Sequence, residues 1–248
     1  MKKIETTPLL TTYLIKLLIR LTVFVSFLIV YIFHKDILIK FMTDRSGFGI
    51  TEYNISPLHI LWAVFMVMMF IHLFPPKLFT MALKKGESGS YIEVKGYDKK
   101  ALSVFIKQQN KRALIVMILW VLFNSVFAVL YRKQLIDSAD LLMLTVFYFL
   151  CDYICIIFYC PFQNYIMKNK CCVNCRIYDW GHFMMFTPML FVKNFFCRSL
   201  FFMSLIVLIK WEIIYAAHPE RFWSGSNLKL RCSSCQDKTC RIKKLLQK

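Results

Sequence analysis

The sequence predicts an all-α integral membrane protein of about six transmembrane helices, carrying a small cytoplasmic Cys-rich metal-binding module. Three observations predict it. Of 248 residues, 58% are hydrophobic and 17% aromatic, against seven glycines and seven prolines, too apolar a mixture for a soluble domain of this size. Several apolar runs approach the roughly 20 residues that cross about 30 Å of hydrocarbon. Six of the ten cysteines fall in polar, basic segments beside those runs.

The first span is expected over Leu10 to Phe33. Lys16 and Arg20 interrupt it and no small-residue cleavage site follows, so it reads as a retained helix and not as a signal peptide. Gly47, Gly49 and Pro57 mark a short loop before the second span, Leu58 to Leu73, which Pro75-Pro76 stops because proline breaks the helical hydrogen-bond ladder. From Lys77 to Arg112 the chain turns polar, with nine basic residues and a Gly86-Glu87-Ser88-Gly89-Ser90 turn. Asp98 can cap a helix there, and Leu102, Phe105 and Ile106 share one face, so a helix is expected to run on into the third span, Ala113 to Tyr131.

The fourth span, Leu141 to Tyr159, follows a tight connection at Arg132-Lys133 and Asp137-Ser138, which makes the two spans antiparallel neighbours. The stretch 180–217 holds either one crossing or a hairpin turning near Lys193-Asn194 and Arg198. Charge decides for the hairpin: with six spans, the inside segments hold 22 basic residues and the outside loops 7, as the excess of Lys and Arg in cytoplasmic loops requires. The same bias accounts for the net charge of +18 without nucleic acid, the partner such a charge would otherwise suggest.

The chain therefore divides into a hairpin (1–76), a basic cytoplasmic loop (77–112), a second hairpin (113–160), a Cys-rich loop (161–179), a third hairpin (180–217) and a Cys-rich tail (218–248). Both termini are expected in the cytoplasm of a cell-membrane, multi-pass protein. No internal repeat supports a repeat-built transporter fold.

Cys171, Cys172 and Cys175 follow span four, and Cys232, Cys235 and Cys240 occupy the tail. Two Cys-x-x-Cys pairs, Cys172/Cys175 and Cys232/Cys235, have the spacing that turns both sulfurs of a pair toward one ion. The expectation is a four-thiolate site, zinc before a 4Fe-4S cluster, with Cys171, Cys240, Cys160 and His218 in reserve. Arg176, Arg231, Lys238 and Arg241 would offset the charge of four thiolates. The pairs resemble zinc-ribbon knuckles, although they lack the proline and glycine common in such ribbons. Disulfides would be the reading only if these segments faced outward. Cys151, Cys155 and Cys197 read as small buried hydrophobes.

Charges inside the spans form the second candidate. Asp152 lies in span four, Arg20 in span one, and Lys210 and Glu212 in span six. Arg20, Asp152 and Lys210 lie at comparable depth, so the four are expected to form a buried polar cluster, either a structural ion pair with snorkelling neighbours or a proton, ion or head-group path. His182, beside Asp179 and Trp180, and His218, before Pro219, are weaker candidates for a metal ligand or proton relay. No Gly-rich phosphate loop, His-Glu-x-x-His helix, nucleophile elbow or dinucleotide fingerprint is present. Three functions stay open: a non-catalytic membrane protein whose metal site docks a protein partner, a redox enzyme acting on a lipid-soluble substrate, and a transporter using the buried charges.

Overall fold

The structure, a computed structural model, describes residues 8–43, 57–74, 81–169, 171–172, 174–235 and 240. The Gly47 and Gly49 connection, the Pro75-Pro76 stop, Lys238 and Arg241 lie outside the described residues. The α-helices are α1 (Pro8–Phe33), α2 (Lys35–Thr43), α3 (Pro57–Leu73), α4 (Met81–Lys84), α5 (Lys99–Arg132), α6 (Ser138–Ile157), α7 (Gly181–Phe186) and α8 (Phe195–Ala217). Among the described residues there is no β-strand, only an isolated bridge between Glu93 and Asn227.

Four helices, α1, α5, α6 and α8, are long and apolar enough to cross a membrane. Their outer faces carry Leu18, Ile32, Leu122, Val126, Phe202 and Ile213, each more than half exposed, as lipid-facing side chains are when no soluble partner covers them. The two remaining expected spans differ from that standard. At 17 residues α3 reaches about 26 Å. The expected fifth span is a broken run of 3-10 turn (Arg176–Trp180), α7, and second 3-10 turn (Thr187–Leu190). Pro188, lacking an N–H to donate, sits in the last of these. The chain then turns into α8 at Asn194, whose side chain accepts the Phe196 N–H as a helix cap.

Local chemistry sets the other boundaries. Asp98 caps α5 by accepting from Lys100 N, and that helix runs unbroken from the basic loop into the third span. Asp137 caps α6 within a capping box completed by Asp140. The short helix α2, which the sequence pattern did not announce, buries Leu38 and Met42 and packs on α6. Its Lys35 bridges Asp137 and Asp140 at 2.8 Å each, while the Tyr31 hydroxyl donates to Asp140 at 2.5 Å.

Inside the bundle, α1 packs on α6, and both α3 and α7 pack on α8. Without water to drive apolar faces together, membrane helices rely on close packing and interhelical hydrogen bonds. Indole N–H groups supply several here. Trp62 on α3 donates to Ser199 on α8 at 2.9 Å, Trp120 on α5 to Thr187 at 3.1 Å, and Trp211 on α8 to the Arg176 carbonyl at 2.7 Å. The hydroxyl of Tyr148 on α6 donates to buried Asn124 on α5 at 3.4 Å.

The tail folds back on the basic loop. Val94 N–H donates to the Ser226 carbonyl and Leu228 N–H to the Ile92 carbonyl, both at 2.9 Å. Leu230 packs on Ala82 of α4, with Cys171, Tyr178 and Cys235 around them. The 81–97 segment, the 171–178 loop and the 223–235 tail thus meet at one end of the bundle.

Candidate functional site

Ionisable side chains within a membrane bundle are costly unless paired, and Arg20 and Asp152 are paired here. Arg20 on α1 donates to Asp152 on α6 at 2.8 Å and to the Phe149 carbonyl at 2.5 Å. Its guanidinium lies between two rings, 4.1 Å from the Phe149 centroid and 3.9 Å from that of Tyr153. The Asp152 carboxylate in turn lies against the broken segment: a Cβ at Gly181 would stand 2.9 Å from its Oδ1, so a larger residue there would have to displace the carboxylate that Arg20 holds.

The residue after Gly181 is His182, buried and edge-on to His72 with ring centroids 4.6 Å apart. His72 Nδ1 lies 3.2 Å from Asp179 Oδ1. Two groups thus stand side by side, Arg20 with Asp152 across α1 and α6, and His182, His72 and Asp179 across the broken segment and the last turn of α3, where Gly181, next to His182, meets Asp152. A histidine ring with a carboxylate on one side and a second imidazole on the other has a proton-exchanging group on each side.

The expected four-residue polar cluster is brought together only in part. Arg20 and Asp152 meet. Lys210 instead donates to the Leu73 carbonyl at the end of α3 and lies 5.7 Å from the Phe74 ring. Glu212 pairs with Arg176 and accepts from Trp180 Nε1 at 2.9 Å, while Arg176 also reaches Asn110 and stacks 4.1 Å over Tyr215. Geometry explains the split: residues two apart on an α-helix point about 200° apart, so Lys210 and Glu212 cannot share a face.

The six loop and tail cysteines lie in different surroundings. Cys172 is buried and its thiol lies 3.1 Å from Gln163 Oε1 and 3.7 Å from the Ile156 carbonyl. Cys175 is buried beside Lys85, and burial pushes its thiol up to about 12. Cys171 and Cys235 flank the Ala82 and Leu230 contact, Cys232 is exposed and Cys240 half-buried. The Cys160 sulfur accepts from Gln163 N–H at 3.4 Å. Reserve residue His218 sits 3.3 Å from Glu220. Among the described residues no group of three or more His, Cys, Asp or Glu is placed to hold a metal ion. Cys172 and Cys175 are buried, whereas Cys235 is half-buried near Cys171 and Cys232 is exposed.

Lys85, in the basic loop, is 1% exposed. Its ammonium donates to the Cys175 carbonyl at 2.5 Å and lies 5.4 to 5.7 Å from the rings of Trp211, Phe222 and Tyr178. Burial pulls it down to about 8 from an ordinary 10.5. This one side chain joins loop, Cys-rich segment, α8 and tail.

Neither His72 nor Lys85 stood out from the sequence. His72 sits in an apolar helix two residues before Phe74, where a lone histidine signals nothing. Lys85 is one of nine basic residues in its loop.

Two cavities border these groups. A small apolar crevice of about 90 Å³ lies between α3, α6, α7 and α8, beside Phe65, Phe149 and Leu200. A larger polar one, of about 510 Å³, opens where α3 and α8 meet the 83–87 turn, and His72, Asp179, Lys210, Glu87 and Arg221 line it. No protein-family model, curated protein or solved structure matches the chain.

Proposed function

We propose that this chain is a multi-pass membrane protein that moves protons, alone or coupled to a small solute, through the succession Asp152, His182, His72 and Asp179 to the polar cavity. The observation that carries this reading is the His72 to Asp179 contact at 3.2 Å, with His182 edge-on to the same ring. A structural ion pair needs only two opposite charges; two imidazoles placed against a carboxylate, beside a cavity, have capacity to exchange protons. The broken segment 176–190 adds support, because discontinuous helices in transporters line the cavities where ions and substrates bind.

The topology belonging to this reading has six crossings, α3 and the broken segment serving as the two short ones, with segments 77–112, 161–179 and 218–248 in the cytoplasm of a cell-membrane protein. Reconstitution into sealed liposomes holding a pH-sensitive dye tests it. With a potassium diffusion potential imposed, the native chain is expected to acidify or alkalinise the lumen faster than protein-free liposomes. His72→Gln, His182→Gln and Asp179→Asn should each slow that flux about tenfold or more. A native rate equal to that of empty liposomes, with and without candidate solutes, would overturn the reading.

A second reading is favoured by the packing of Leu230 and Cys235 on Ala82 and Cys171. Here thiols from loop and tail, Cys172, Cys175, Cys232 and Cys235 with Cys171, Cys240 and Cys160 in reserve, close around zinc, or around a 4Fe-4S cluster in a redox protein, and fix the face on which a protein partner docks. Elemental analysis of the purified chain should then give one zinc, or four iron with acid-labile sulfide, and Cys235→Ser should lose it. Metal-free protein from metal-replete cells would end this reading.

A further inference from the structure

The polar cavity has one feature that proton movement does not use. Lys210 and Arg221 both line it, and each donates to a main-chain carbonyl, Lys210 to that of Leu73 and Arg221, at 2.9 Å, to that of Gly86. Among the described residues neither takes part in a salt bridge. An ammonium has three donors and a guanidinium five, so one carbonyl apiece leaves both cations able to grip an anion. Of the two acids in the wall, Asp179 is engaged with His72. About 510 Å³ falls within the range of a small-molecule site.

The surroundings select what anion it is. Ile206, Lys210 and Ile213 stand at i, i+4 and i+7 of α8, hence on one face, and both isoleucines are more than half exposed. On the neighbouring α3, Phe70 and the following Phe74 stand four residues apart with ring centroids 5.4 Å apart, and they are 57% and 70% exposed. Two exposed apolar ridges on packed helices lead to a cavity holding two cations, at the end of the bundle where the basic segments gather. A soluble anion has no use for such ridges, whereas a lipid lays its chains along them.

We infer that this cavity binds the phosphate headgroup of a membrane phospholipid, with Lys210 and Arg221 on the phosphate and the acyl chains along Phe70, Phe74, Ile206 and Ile213. The inference concerns the cavity into which the proposed proton route opens but rests on other residues, since neither cation belongs to the histidine succession.

The test uses the full chain in nanodiscs of dioleoyl phosphatidylcholine containing a graded fraction of dioleoyl phosphatidic acid, with bound lipid counted by native mass spectrometry after release into detergent. Saturable retention of one phosphatidic acid is expected. Lys210→Gln and Arg221→Gln should each weaken it about tenfold, the cost of one charge-assisted contact, and Lys210→Arg should largely retain it. Unchanged thermal unfolding of the variants separates loss of the site from loss of the fold, and Phe74→Ala should weaken retention of phosphatidic acid while leaving Lys210 in place. Equal retention by native and Gln variants would overturn the inference. So would saturable binding of inorganic phosphate at the same cations with no retained lipid, which would assign the cavity to a soluble anion.

Discussion

Asp152→Leu is expected to destabilise the protein by about 3–5 kcal/mol, and Arg20→Met by a similar amount, because each change strands the opposite charge inside the bundle. The side chains are 10% and 29% exposed, so little water reaches them to replace the missing partner. Arg20 would keep its Phe149 carbonyl and its two rings, contacts that soften the loss without neutralising the charge. The double variant Arg20→Met, Asp152→Leu removes both charges and should recover more than half of the loss. Thermal unfolding of the four proteins in one detergent measures this cycle. Additive losses would mean that the pair contributes no coupling.

Lys85→Ala has the second largest expected effect, about 3 kcal/mol, since it leaves a cavity among Tyr178, Trp211 and Phe222 and leaves the Cys175 carbonyl only the 3.4 Å contact from the Tyr178 N–H. Its position also makes stability depend on pH. The folded chain holds the Lys85 proton less tightly, near 8, than an unfolded chain does at 10.5. Between those values the unfolded state binds more protons, so stability rises as pH increases. Cys175 works the other way: its thiol ionises near 9 when unfolded and only near 12 when buried, which favours unfolding above pH 9. Stability should therefore climb between pH 8 and 9 and flatten or fall beyond. In Lys85→Met the climb should vanish while the fall remains, as followed by unfolding temperature across that range.

How much of this was legible in the residues depends on whether the deciding signal is local. Helix α1 and the helices from Lys99 to Arg132 and from Ser138 to Ile157 follow from runs of apolar residues and from Asp98 and Asp137 at their caps, all of which are local. The broken segment did not follow, because Trp180 to Leu190 is as apolar as a true span. Only its packing, with Gly181 against Asp152 and Pro188 near the end, shows that it is discontinuous. Depth along the helices groups Arg20, Asp152 and Lys210, and of these Arg20 and Asp152 meet. Lys210 and Glu212 were grouped with them on depth alone, whereas the angular positions on α8 send them to different neighbours. The Cys-x-x-Cys spacing marked the cysteines but could not say how exposed each one is, and the fold buries Cys172 and Cys175.

The proposed topology puts the basic loop, the Cys-rich loop and the tail on one side of a membrane, with the connection between α5 and α6 on the other. Impermeant maleimide labelling in sealed vesicles measures this most directly. The probes are single-cysteine chains that keep exposed Cys232 or carry Lys99→Cys or Leu135→Cys, Leu135 being 69% exposed in that connection. Positions 99 and 232 should react from one side and position 135 only from the other. Labelling of 232 and 135 from the same side would contradict the topology and with it the route proposed for protons.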